Sequence, residues 1–283
     1  MLLIRVQDAN PITDANFLFA EFISHEADLE FKPNSLTIIA KNPTLRFIAT
    51  LYISKTFCQD FTINQTHIAR VSLISFIDAI MTAAATRFDT LAITLPSAYI
   101  MILTFETSSE YLLIPHNNIA KNYDSCFLYL SRTHFLFIAP SGRVLQSHPR
   151  ALPMSPSLMM DFPKPILAKH FTIKAECFRR ILEELPLLQD LVSVTPTGSE
   201  VKFSNEFKEI ILSQEAGECT IMGYEGCVDT RFKVVLNPRM FFLDLSSKTS
   251  TSIWFYRTMS AGSIMAVPTC RSYAMYYIHF PPI

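Results

Sequence analysis

Seven histidines (His25, His67, His116, His134, His148, His170, His279) and six cysteines (Cys58, Cys126, Cys177, Cys219, Cys227, Cys270) are the residues able to act as nucleophiles, proton carriers or metal ligands. Their spacing does not group them. No C-x-x-C, H-E-x-x-H or G-x-S-x-G occurs, and six glycines leave no Gly-rich phosphate loop. A hydrolase built on a Cys/His pair would need side chains converging from distant positions; it stands as the enzymatic alternative. Scattered Cys and His in a chain that is 49% apolar read as structural, so neither catalysis nor a cofactor or metal is expected. Ionic chemistry remains. Lys+Arg 24 against Asp+Glu 25 gives no global attraction to nucleic acid, so phosphate binding would require cations sorted onto one face.

Four segments carry the helical period that could sort them. "NPITDANFLFAEFIS" starts with Asn10 as N-cap and Pro11 at the first helical position, with Ala15, Leu18, Phe19, Phe22 and Ile23 inward. "SLISFIDAIMTAAATR" puts Ile74, Ile77, Met81 and Ala84 on one stripe. "IKAECFRRILEELP" turns Cys177, Phe178, Ile181, Leu182 and Leu185 inward and Glu176, Arg179, Arg180, Glu183 and Glu184 outward. "NPRMFFLDLSSK" repeats the Asn-Pro start at Asn237 and Pro238. Between them lie short segments rich in β-branched and aromatic residues, many ending on Pro, Asn, Ser or Gly, which predict strands. The first two helices start about 61 residues apart and the last two about 63, which reads as an internal duplication. The sequence therefore divides into residues 1–130, a proline-rich linker over 131–169, and residues 170–283.

"MLLIRVQDAN" is too short for a signal-peptide core, and "TLAITLPSAYIMILTF" is broken by Pro96 and short of a membrane span. An intracellular protein with reduced thiols is expected, and the sequon at Asn64 reads as a chance match. The chain closes on "AMYYIHFPPI", an alternating strand from Ala274 to Phe280 followed by two prolines. Such an ending predicts a last strand held in a sheet and a stiff exit.

The double helix-then-strands repeat, "EVKFSNEFKEIILSQ" and the terminal "YYIHFPPI" resemble the sliding DNA clamps of the proliferating cell nuclear antigen (PCNA) type, over most of the chain. "LEFKPNSLTIIAKNPTLRFIATLYISKTFCQDF" is most similar to the Rad-nine-type subunit of the DNA-damage checkpoint clamp. The resemblance implies an α+β fold of two similar domains, each with two helices on antiparallel sheets, joined by a long linker. It also implies a non-enzymatic subunit of a nuclear heterotrimeric ring that encircles duplex DNA without reading sequence, is placed by a clamp loader, and recruits repair and signalling proteins. The chain departs from that subunit type in ending at Ile283 without a long phosphorylated tail.

By the resemblance the helices line the DNA channel, offering Arg87, Lys174, Arg179, Arg180, Arg239 and Lys248 to phosphates. The first helix adds Asp14 and Glu21 and no cation, which fits a heterotrimer better than a replicative homotrimer. Arg179 and Arg180 could equally pair with glutamates of their own helix. Ring edges are expected at Glu110, Tyr111, Leu112, Leu113 and Ile114 and at Glu209, Ile210, Ile211, Leu212 and Ser213; the alternative is interior strands. A groove for short partner peptides is expected from Ile38, Ala40, Met154, Leu158, Met159, Tyr277, Phe280 and Pro281, the alternative being a terminus packed on the core. A β-rich scaffold with the same outline and no DNA role is the remaining reading.

Overall fold

The computed structural model describes residues 2–84, 90–97, 100–109, 127–131, 134–138, 144–156, 165–186, 191–224, 231–249, 251–269 and 274–282. The chain runs β1 (Leu2–Val6), α1 (Asn10–Phe22), β2 (Glu26–Lys32), β3 (Ser35–Lys41), β4 (Ile48–Ser54), β5 (Asp60–Ile63), β6 (His67–Ser72), α2 (Leu73–Ala84), β7 (Thr90–Ser97) and β8 (Ile100–Ser109). Strands β9 (Phe127–Ser131), β10 (His134–Ile138) and β11 (Val144–Pro156) follow. Then come β12 (Pro165–Lys174), α3 (Ala175–Glu184), β13 (Leu191–Pro196), β14 (Glu200–Ser204), β15 (Glu209–Ser213), β16 (Cys219–Met222), β17 (Phe232–Val235), α4 (Arg239–Ser247), β18 (Ser252–Thr258), β19 (Ser263–Pro268) and β20 (Ala274–Phe280). Residues 131–169, read from the sequence as a linker, thus carry β10, β11 and the start of β12 among the described residues.

The strand order repeats. The run β5-β1-β7-β8-β11 is matched by β16-β12-β18-β19-β20, and β4-β3-β2-β6 by β15-β14-β13-β17. Each half also places one helix after its first strand and one before its seventh, so the duplication seen in the helix spacing is a duplication of topology. The halves are joined through backbone: β20 pairs antiparallel with β4 from Ala274↔Ile53 to His279↔Ile48. The terminal strand is therefore interior, with alternating burial from Ala274 to Phe280. Its inward side chains meet a cluster from both halves. Phe47 stacks on Phe241 at 5.4 Å and lies edge-on to Phe242 at 5.4 Å and Phe280 at 6.1 Å. Phe22 of α1 reaches Phe241, and Phe19 reaches Tyr276. Helices pack in the order α2-α1-α4-α3.

Local corrections have physical causes. α1 is capped at Ala9 without a side-chain cap bond and has Pro11 in its first turn, so Asn10 is not the cap; the Asp8 carboxylate accepts the Asn10 N–H at 3.0 Å. In α2 the stripe picked out by the period is not the buried one: Ile74 and Met81 are 47% and 55% exposed and Ile77 is half-buried, while Leu73, Phe76, Ala79 and Ile80 are buried. The helix is apolar nearly all round, so periodicity offered two stripes and packing chose the other. α3 buries Cys177, Phe178, Ile181, Leu182 and Leu185 as its period demands, because its opposite face is charged.

Two glycines separate backbone strain from steric conflict. A Cβ at Gly217 (φ +67°) would meet no atom within 4 Å, whereas at Gly223 (φ +75°) it would lie 2.0 Å from the Ala168 carbonyl oxygen. Gly217→Ala is expected to cost about 1 kcal/mol from left-handed backbone alone. Gly223→Ala should cost at least about 3 kcal/mol, since the backbone of β12 must also move away. Equal losses in denaturant titrations of the two variants would contradict this assignment.

Candidate functional site

Three features were expected to act together: a groove, a cationic helix layer and open strand edges. A cavity lies beside the last strand, and its walls differ from those expected of the groove. A cavity of about 560 Å³ is lined on its apolar side by Ala27, Ile39, Leu45, Phe47, Ile48, Phe280 and Pro281, and on its polar side by Glu26, Asp28, Lys41, Arg46, Arg70 and His279. Of the residues expected there, Phe280 and Pro281 line it. Ile38 and Ala40 do not; both are core residues, 1% and 0% exposed. Strand β3 presents Ile39 and Lys41 to the cavity instead, a one-residue difference in parity. Tyr277 lies away from the cavity, edge-on to Tyr52, and Met154 packs in the core; Leu158 and Met159 fall outside the described residues.

The polar wall is built around Asp28, 1% exposed on β2. Its carboxylate accepts from Arg70 Nε at 2.8 Å and Nη2 at 3.3 Å and pairs with Lys41 Nζ at 3.1 Å. The strand register makes this arrangement, since Asp28 sits directly opposite Arg70 on β6 and opposite Ile39 on β3. A buried carboxylate is tolerable when two cations meet it, and the Asp28 hydrogen bond in turn holds the Arg70 pKa above its ordinary value. Beside them, burial pushes the His279 imidazole down to about 4, so it is neutral at physiological pH.

The expected cations of the helix layer are largely committed within the chain. Arg180 bonds Glu218 at 2.8 Å, Lys248 pairs with Asp14 at 3.1 Å, and Lys174 lies 4.0 Å from Glu176. Arg179 donates to the Ser246 carbonyl at 3.1 Å, in the last turn of α4, where a cation is favoured by the helix dipole. Arg239 has neither kind of partner among the described residues; Arg87 lies outside them. Neither arginine of α3 pairs with a glutamate of its own helix. Around these cations the layer carries Asp14, Glu21, Asp78, Glu176, Glu183, Glu184 and Asp244, and exposes Phe17, Ile74, Met81 and Met240.

Arg180 has a role at the third feature. It lowers the Glu218 pKa by hydrogen bonding, and Glu218 Oε2 accepts the Ser213 N–H at 3.1 Å while its own N–H donates to the Ser213 carbonyl. One end of the β15 edge is thereby closed. Among the described residues, strand β15 pairs only with β14 and ends its sheet. Antiparallel alternation with Ser213 turned outward leaves Glu209 and Ile211 with outward N–H and C=O groups. The other expected edge, Glu110 to Ile114, lies outside the described residues. By topology β11 is the counterpart of β20. One side of β11 lies on β8 from Val144 to Pro153; its other side takes β10 at Val144–Ser147 and β6 at Met154–Pro156. Among the described residues, 148–153 are the open stretch between them.

Among the described residues, Cys58, Cys177 and Cys219 are held toward the protonated thiol. Burial raises Cys58 to about 12 and Cys219 to about 11, and Cys219 Sγ donates to the Leu212 carbonyl. Among the described residues no group of three or more His, Cys, Asp or Glu is arranged to hold a metal ion, and no helix is long and apolar enough to cross a membrane. Cys126, Cys227 and Cys270 lie outside those residues.

With the geometry in view, comparison with solved structures finds PCNA from Thermococcus kodakaraensis at a TM-score of 0.64, with 100% of each chain covered and 11% sequence identity. No protein-family model and no curated protein matches the sequence. The chain thus has the PCNA-like fold, and at this identity the likeness speaks to fold.

Proposed function

We propose that this chain is a non-enzymatic subunit of a ring-shaped DNA clamp that assembles with other clamp-fold chains and recruits partners through its apolar groove. The observation that carries the reading is the internal joint. Inside the chain, the last strand of the second repeat, β20, pairs with the fourth strand of the first, β4. The duplication leaves the equivalent pair, β11 and β15, unjoined. The same joint made between molecules is heterologous, and repetition of a heterologous contact closes a ring when the rotation permits.

The joint's chemistry favours a heteromeric ring. Pro149 and Pro153 have no N–H and cannot donate to β8, so the residues of their parity face the open side of β11, where Ala151 is left as the one outward donor between them. β20 has no proline between Ala274 and Phe280. A homotrimer would repeat the donor-poor β11 contact at all three joints; a heterotrimer contains it once. The acidic character of the helix layer points the same way, since a channel built only from this chain would set fixed carboxylates against phosphate. A nuclear checkpoint ring with a clamp loader and repair enzymes as partners is the specific form of this reading. The acidic, partly apolar helix layer also favours a second reading, a clamp-fold scaffold that never encloses DNA.

Light scattering of the purified chain, alone and mixed with the other clamp-fold chains of the same cell, tests the assembly. The expected result is a monomer alone and a one-to-one-to-one trimer in the mixture, retained on closed circular DNA and released when the circle is cut. A trimer of this chain by itself would overturn the heteromeric form. Assembly without topological retention would favour the scaffold.

A further inference from the structure

The groove is not electrically neutral, and its surplus has one owner. Glu26 and Asp28 oppose Lys41, Arg46 and Arg70 on its polar wall. Asp28 engages both Arg70 and Lys41, and Glu26 is close enough to Arg70 to help hold its proton. Arg46 is exposed and makes no ion pair among the described residues. It stands in the chain between Leu45 and Phe47, both part of the apolar wall. The geometry therefore places a solvent-facing guanidinium beside the apolar wall of the cavity. A guanidinium in that position matches a carboxylate in shape and charge, and can take it through two parallel N–H bonds.

Resting on the reading of this cavity as a partner-peptide groove, we infer that its occupant is a short acidic peptide: a large apolar side chain lies against Leu45, Phe47 and Phe280, and a neighbouring Asp or Glu pairs with Arg46. The apolar anchor supplies most of the binding and the carboxylate selects among peptides. Glu26 sharpens the selection by opposing a second acid on its own side of the cavity. Basic peptides meet the Arg46 charge and are disfavoured.

The test is fluorescence anisotropy on the full chain at low and at physiological salt, with two fluorescein-labelled synthetic peptides. One carries a single glutamate before Leu-Phe; its twin carries a glutamine there. The glutamate peptide is expected to bind about fivefold to tenfold more tightly at low salt, with the gap narrowing as salt rises. Arg46→Gln should abolish the gap between the two peptides. Leu45→Ser should weaken both peptides alike. Equal binding of the two peptides to the unmodified chain, or tighter binding of the glutamine twin, overturns the acid-selective subsite and leaves the groove reading intact. Failure of both peptides to bind overturns the groove reading, and the inference with it.

Discussion

Phe47→Ala is expected to destabilise the protein by roughly 3–5 kcal/mol, the usual range for removing a buried phenylalanine when the site cannot collapse. Phe47 is 2% exposed and its ring meets Phe241, Phe242 and Phe280. Those rings come from α4 and β20 of one repeat and Phe47 from the approach to β4 of the other, so the void would open where the repeats join. Collapse there would require β20 to shift on β4, which six consecutive register pairs oppose. The loss is read by urea titration, and the conservative Phe47→Leu should recover more than half of it. Because Phe47 also lines the groove, the same variant should weaken any peptide bound there. A loss below about 1 kcal/mol would mean that the aromatic cluster does not hold the joint.

The second large effect is a pH dependence assigned to His279. Its folded pKa, about 4, lies below the unfolded value of about 6.5. Between those values the unfolded chain binds a proton that the folded chain refuses, so unfolding becomes easier as pH falls. The stability that the neutral imidazole allows is complete above about pH 6.5 and is lost as pH drops toward 4, to a total of up to roughly 3 kcal/mol. Carboxylates held low by ion pairs, such as Glu218 beside Arg180, add acid sensitivity at lower pH. The difference between the wild type and His279→Phe isolates the histidine. The variant's stability should be flatter between pH 6.5 and 4, and parallel curves would show that burial does not depress this group.

The helices and their spacing were legible because each depends on residues within a turn or two. α3 is the clearest case: five charged residues on one face leave a single way to bury Cys177, Phe178, Ile181 and Leu182. α2 shows the limit. With apolar residues on both faces, local pattern offered two equivalent orientations, and the contact with α1 selected the one that exposes Ile74 and Met81. The lining of the cavity was legible at Phe280 and Pro281, where strand alternation and prolines announce themselves, and lies one residue away from the expected positions on β3. The signal was present: Thr37, Ile39 and Lys41 share a parity, and the charge on Lys41 marks the face that meets solvent.

What the sequence by itself determined is the duplicated order of helices and strands, the buried terminal strand and the absence of a local catalytic or metal signature. These follow from short-range spacing, which every copy of the chain carries whatever it packs against. Only the tertiary structure decided what the charges do and where the edges lie. Arg180 closes a strand edge through Glu218, Lys248 meets Asp14 across the two repeats, and Asp28 gathers Arg70 and Lys41 beside the groove. Each pairing joins residues tens to hundreds of positions apart, and a charge takes its meaning from the partner and the burial that folding gives it.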